Sequence, residues 1–110
     1  MYKNINKQKL KRMFVDPSSS IRDTMEAIDR NELGTAIIVD PDSKEFLGLL
    51  TDGDLRRVLL KNLDLDSKID SFKWPKSVTA KDDMSIDHIA KKFNNKIRFI
   101  PLLDAKNRVV

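Results

Sequence analysis

Apolar positions along this chain fall into two rhythms that alternate. Ile21, Met25 and Ile28 recur at steps of three and four, and Ile86, Ile89, Ala90 and Phe93 do the same. That spacing puts each set on one helical face, so helices are predicted over 21–28 and 86–93. A short polar turn follows each one, at 29–32 and at 94–96. Then comes a compact apolar run, Ala36 to Val39 or Phe99 to Leu103. Apolar runs this short, bounded by turn residues, predict buried strands. Each run closes on an aspartate, Asp40 or Asp104. Pro41-Asp42-Ser43 and Ala105-Lys106-Asn107 then read as hairpin turns. Phe46 to Leu50 is the return strand of the first copy, and Val109-Val110 begins that of the second.

The two stretches therefore form an internal repeat of strand, helix, strand, strand, helix. Asp16-Pro17-Ser18-Ser19-Ser20 and Asp82-Asp83-Met84-Ser85 supply N-cap candidates ahead of the two helices. The expected organisation is a basic N-terminal segment (1–14), a first repeat (15–66) and a second (67–110) that lacks its closing turn and helix. The expected fold class is α/β. Its core would contain Ile21, Met25, Ile28, Ile37, Val39, Leu47, Leu49, Ile89, Phe93, Ile100 and Leu102.

Composition narrows the function. At 110 residues the chain suits one small domain, and it has no cysteine, which removes disulfides and cysteine-ligated metals. Its apolar runs are too short to span a bilayer, and the expected location is the cytoplasm. The net charge of +4 comes largely from Lys3, Lys7, Lys9, Lys11 and Arg12. A solvated N-terminal helix accounts for these. Aromatic residues make up only 6% and form no stacking row among basic residues, so nucleic acid is not an expected partner.

The stretch 46–57, FLGLLTDGDLRR, carries the chemistry. Here a strand passes into a helix through Thr51, Asp52, Gly53 and Asp54. Three readings are open: a capped turn, a metal loop, or a pocket for a phosphate and a sugar hydroxyl. The first-turn N–H groups need partners, which Thr51, Asp52 or Asp54 can supply. A helix start beside a hydroxyl also suits a phosphate oxygen, and a carboxylate suits neighbouring ribose hydroxyls. Arg56 and Arg57 would add positive charge. A calcium loop fits poorly, because Arg56 and Val58 stand where later oxygen ligands belong. No Gly-rich run ends in Lys-Ser or Lys-Thr, so a P-loop is absent. One histidine, His88, and no cysteine leave no metal site or activated nucleophile, so no catalytic residue is assigned. Trp74, before Pro75, is expected to anchor the connector.

The repeat together with Gly48-x-x-Thr51-x-x-Asp54 resembles a CBS domain pair, or Bateman module. The resemblance implies a small α/β fold of tandem β-α-β-β-α repeats with nucleotide clefts between them. It implies that Thr51 approaches a phosphate, that Asp54 holds the ribose, and that Gly34 and Thr35 lie near phosphate. Val78, Thr79, Ile97 and Arg98 of the other repeat would face the adenine. The implied ligand is AMP, ADP or ATP, with no cofactor required. The implied function is regulation of an attached or partner enzyme rather than catalysis. The chain also resembles the N-terminal CBS pair of sugar-phosphate nucleotidyltransferases, which its start at Met1 suits. TDGDLRR resembles, in addition, the CBS region of arabinose-5-phosphate isomerases. The competing reading is a structural dimerisation module with an empty cleft. A homodimer is expected, through an apolar helix face of Leu55, Val58, Leu59 and Leu60 and an uncovered sheet edge in the second repeat.

Overall fold

Ser20 starts the first long helix in the computed structural model, which describes residues 7–31, 33–94, 97 and 99–110. Ahead of it, α1 (Lys7–Arg12) leads into β1 (Phe14–Val15). The basic segment is more than a solvated helix, because Leu10 and Met13 are buried in the core. The Ser20 Oγ accepts from the Asp23 N–H at 3.0 Å and caps α2 (Ile21–Asn31). Ile21, Thr24, Ala27 and Ile28 form the buried stripe of α2, and Met25 is half-buried beside it. β2 (Thr35–Val39) pairs in parallel with β1 and antiparallel with β3 (Phe46–Thr51), giving the order β1-β2-β3. The closing helix of this repeat is α3 (Asp52–Leu60).

All five residues of β2 are buried, because both faces of the sheet are covered. On one face Ala36, Ile38 and Leu50 meet Ile21 and Ile28 of α2 and Leu55 of α3. On the other, Ile37 and Val39 meet Leu10 and Met13, with Phe99 and Val109 of the second repeat packed against them. The second face is thus the seam between repeats.

Two expectations about side-chain direction need correction. Leu47 is 40% exposed rather than buried. The ladder runs Ile37↔Leu49 and Ile38↔Gly48, then jumps to Val39↔Phe46. This bulge leaves Leu47 without a partner and puts Phe46 on the inter-repeat face in its place. Second, Leu55 is fully buried, and Val58 and Leu59 pack inward against the same core. Only Leu60 of the expected dimer face is strongly exposed. The helix turns that stripe onto its own sheet.

The helix of the second repeat and the strand that follows it are shorter than their counterparts in the first. A 3-10 turn, Ile69–Ser71, precedes β4 (Ala80–Lys81), α4 (Ile86–Ala90) and β5 (Leu102–Leu103). The Ser85 Oγ caps α4, accepting from the His88 N–H at 3.1 Å. The helix stops before Phe93, because Lys92 and Phe93 donate to the Ile89 and Ala90 carbonyls in the tighter i→i+3 pattern. β4 and β5 are parallel, and Pro101, which has no N–H, ends the ladder on its N-terminal side. Leu103 bridges Val109, so the return strand begins where expected. Ala80, Ile89 and Ile100 form a small third core, with Phe93 and Leu102 only half-buried around it.

The two hairpins are built alike. The Asp40 Oδ1 accepts from the N–H groups of Asp42 and Ser43, and the Asp104 Oδ1 from those of Lys106 and Arg108. Lys44 and Asn107 have φ of 66° and 64°, the left-handed conformation that closes each turn. These backbone hydrogen bonds hold the pKa of both aspartates below the ordinary carboxylate value. Asn107 also ties the repeats together, since the Phe46 N–H donates to its carbonyl at 2.8 Å.

Candidate functional site

Thr51 ends β3 with extended backbone and caps α3. Its Oγ1 accepts from the Asp54 N–H at 3.2 Å, and the Asp54 Oδ2 accepts from the Thr51 N–H at 2.9 Å. This is a reciprocal capping box, so the capped-turn reading of the sequence describes real hydrogen bonds. The other oxygen of Asp54, Oδ1, accepts from the Arg57 Nη2 at 2.6 Å. Arg56 pairs with Asp52. The positive charge expected from Arg56 and Arg57 is therefore directed at carboxylates of their own helix.

The box leaves binding capacity unused. A hydroxyl that accepts one hydrogen bond can still donate its proton, and each carboxylate oxygen has a second lone pair. Both groups border a cleft of about 470 Å³, within the range of small-molecule sites. The near wall consists of Leu33, Gly34, Thr35, Leu49, Thr51 and Asp54. Gly34 makes the turn into β2 at φ 71°. The Asn31 side chain holds that turn, donating to the carbonyls of Ala27 and Thr35 and accepting from the Leu33 N–H. Thr35 and Thr51 lie opposite each other in the β2–β3 ladder, so one register positions both hydroxyls.

Pro75, Lys76, Ser77, Val78, Ile97 and Phe99 make the far wall. Trp74 sets its distance. Its Nε1 donates to the Ile69 carbonyl at 2.7 Å, and its ring lies on Gly48. A Cβ at residue 48 would stand 3.2 Å from the ring Cε3, so glycine is what lets the connector approach β3.

Of the residues singled out in the sequence, Thr51, Asp54, Gly34, Thr35, Val78 and Ile97 come together around this cleft. Thr79 does not line it. Val78 and Ala80 both turn toward the third core, and the residue between them points the other way. Arg98 lies outside the described residues. Sequence reasoning missed Leu33, Leu49, Pro75, Lys76, Ser77 and Phe99. The Trp-Pro pair, which extends the chain before Lys76, was the available signal for the connector.

Among the described residues, no three His, Asp or Glu side chains gather as a metal site, and His88 is exposed on α4. Among the described residues, no helix is long and apolar enough to cross a membrane.

The family model described as CBS domain matches residues 9–61 and 69–110. A Helicobacter pylori (strain J99) protein described only as uncharacterized is 35% identical over 99 residues, 88% of this chain and 30% of its own length. Arabinose 5-phosphate isomerase KdsD of Yersinia pestis is 45% identical over 53 residues, 48% of this chain and 16% of the isomerase. The chain thus spans well under half of these relatives. Among solved structures, a CBS domain protein from Pyrobaculum aerophilum complexed with AMP superposes with a TM-score of 0.74 at 20% identity. It covers 88% of this chain and 75% of that one.

Proposed function

The chain belongs to the CBS domain family, and from that premise we propose that it is a regulatory module binding an adenine nucleotide (AMP, ADP or ATP) in the cleft between its repeats. In this reading the Thr51 hydroxyl donates to a phosphate oxygen at the start of α3, with Gly34 and Thr35 alongside. Asp54 accepts from the ribose hydroxyls. Val78 and Ile97 offer apolar surface to the base. The observation that carries the reading is the convergence of Thr51 and Asp54 from one repeat with Val78 and Ile97 from the other on one cleft. The AMP complex of a similarly folded protein supports the ligand class.

Regulation follows if the nucleotide binds one arrangement of the repeats better than another, because it shifts a partner only by that difference. The partner proposed is an attached sugar-phosphate enzyme. The resemblance to nucleotidyltransferase CBS pairs suggests one candidate, and the match to arabinose 5-phosphate isomerase KdsD favours an isomerase. Homodimerisation stays part of the proposal. Its apolar contribution from α3 shrinks to Leu60, and sedimentation of the purified chain tests it.

The test is a thermal-shift panel with AMP, ADP, ATP, CMP, GMP, GTP and S-adenosylmethionine. A ligand at about one hundred times its Kd adds roughly 2.7 kcal/mol, which raises Tm by roughly 10 °C or more in a domain of this size. A flat panel at millimolar nucleotide rejects the reading in favour of a structural module with an empty cleft.

A further inference from the structure

The Asp54 carboxylate is held at both ends by its own chain. Its Oδ2 takes the Thr51 N–H at 2.9 Å and its Oδ1 takes the Arg57 Nη2 at 2.6 Å. A carboxylate gripped at one oxygen can still swing about its last torsion, which is broad and soft. Gripped at both, its plane is set, and so are the directions of its two remaining lone pairs. Asp54 borders the cleft and its side chain is only 17% exposed, whereas that of Arg57 is 67% exposed. The guanidinium lies across the start of α3. A Cβ at Gly53 would be 3.5 Å from the Arg57 Nη1 and 3.8 Å from the Thr51 Oγ1. Arg57 therefore reaches Asp54 from the solvent side and leaves the cleft side open.

We propose that Arg57 is a positioning residue that aims the Asp54 carboxylate into the cleft and so sets a preference for ligands carrying both ribose hydroxyls. This rests on the reading of the cleft as a nucleotide site and goes beyond it, because Arg57 does not itself line the cleft. The planar guanidinium suits the task better than an ammonium, which holds a carboxylate as a point charge without fixing its plane. The neighbouring pair is a built-in control. Arg56 pairs with Asp52 one turn earlier on the same helix, but Asp52 does not border the cleft.

Isothermal titration of the 110-residue chain with AMP and with 2′-deoxy-AMP tests this. The unaltered chain should favour AMP by about tenfold or more, the worth of a hydrogen bond to a charged group. Arg57→Met should bring the two affinities to within about threefold. Arg57→Lys should restore part of the preference, and Arg56→Met should keep all of it. The exposed ion pair adds little stability, so Arg57→Met should stay folded, with a Tm close to that of the unaltered chain. An unchanged AMP preference in Arg57→Met overturns the positioning role and leaves the cleft reading standing. Tighter AMP binding by that variant also overturns it, since Arg57 would then be a competitor for Asp54. Failure of the unaltered chain to bind either nucleotide overturns the cleft reading, and the positioning role with it.

Discussion

Replacing Asp54 by alanine makes the two roles of one carboxylate separately measurable. The substitution removes the hydrogen bond from the Thr51 N–H and the ion pair with Arg57. Half of a capping box is worth about 1 kcal/mol. The ion pair is discounted because the Arg57 side chain is two-thirds exposed, and it adds at most about 1 kcal/mol. The loss of stability should therefore be about 1–2 kcal/mol, a fall in Tm of about 5–15 °C. Binding is a separate quantity, provided the variant is folded at the assay temperature. If Asp54 accepts from ribose, the lost charged hydrogen bond costs about 1.5–3 kcal/mol, which weakens nucleotide binding about ten- to 150-fold. Asp54→Asn is the companion variant. It retains an oxygen for the Thr51 N–H and so should recover stability, but it lacks the charge and should recover binding only in part. The assay pairs urea denaturation with calorimetric titration of AMP. If Asp54→Ala loses the expected stability but binds within about threefold of the unaltered chain, the carboxylate is a helix cap and nothing more.

Gly48→Ala should cost about 1–3 kcal/mol, because the new methyl meets the Trp74 ring at 3.2 Å. The single tryptophan reports its own displacement as a shift in fluorescence, and an unshifted spectrum would refute the contact. Leu55→Ala should cost about 2–5 kcal/mol as a core cavity. A near-neutral result in urea denaturation would return Leu55 to a surface face. For pH, the folded-state pKa values of Asp40 and Asp104 lie below the unfolded value of 3.8. The unfolded chain thus binds more protons in acid. The stability from these hairpins is fully present above that value and is lost as the pH falls through it toward the depressed folded values. Asp40→Asn should blunt this acid loss in an unfolding series, and an unchanged acid limb would count against the hairpin hydrogen bonds as its source.

Features that depend on neighbours along the chain were legible in the sequence. The period of Ile21, Met25 and Ile28 predicted α2, and Ser20 and Ser85 cap their helices from within the predicted polar stretches. Asp40 and Asp104 close equivalent hairpins because an aspartate reaches the N–H groups two to four residues ahead of it. Thr51 and Asp54 form their box for the same short-range reason. Six candidate site residues reach one cleft because the repeat is real, and a repeated unit brings equivalent turns to the same seam.

What the sequence left open depends on groups that meet only after folding. An apolar pattern says that Leu47 and Leu55 want cover, not which surface supplies it. A bulge at Val39 leaves Leu47 outside, and the sheet beneath α3 takes Leu55. Thr79 misses the cleft by one step of side-chain alternation, a phase set by how Val78 and Ala80 seat in the third core. The far wall at Lys76 and Ser77 exists because Trp74 finds the bare backbone of Gly48, twenty-six positions earlier in the chain. That Arg57 takes one oxygen of Asp54 while Thr51 takes the other follows from helix geometry, yet only the cleft on the opposite side gives the arrangement a use. Local hydrogen bonds are encoded over a few residues and survive any tertiary context. A cleft is the space left between distant segments, and no short stretch of sequence specifies it.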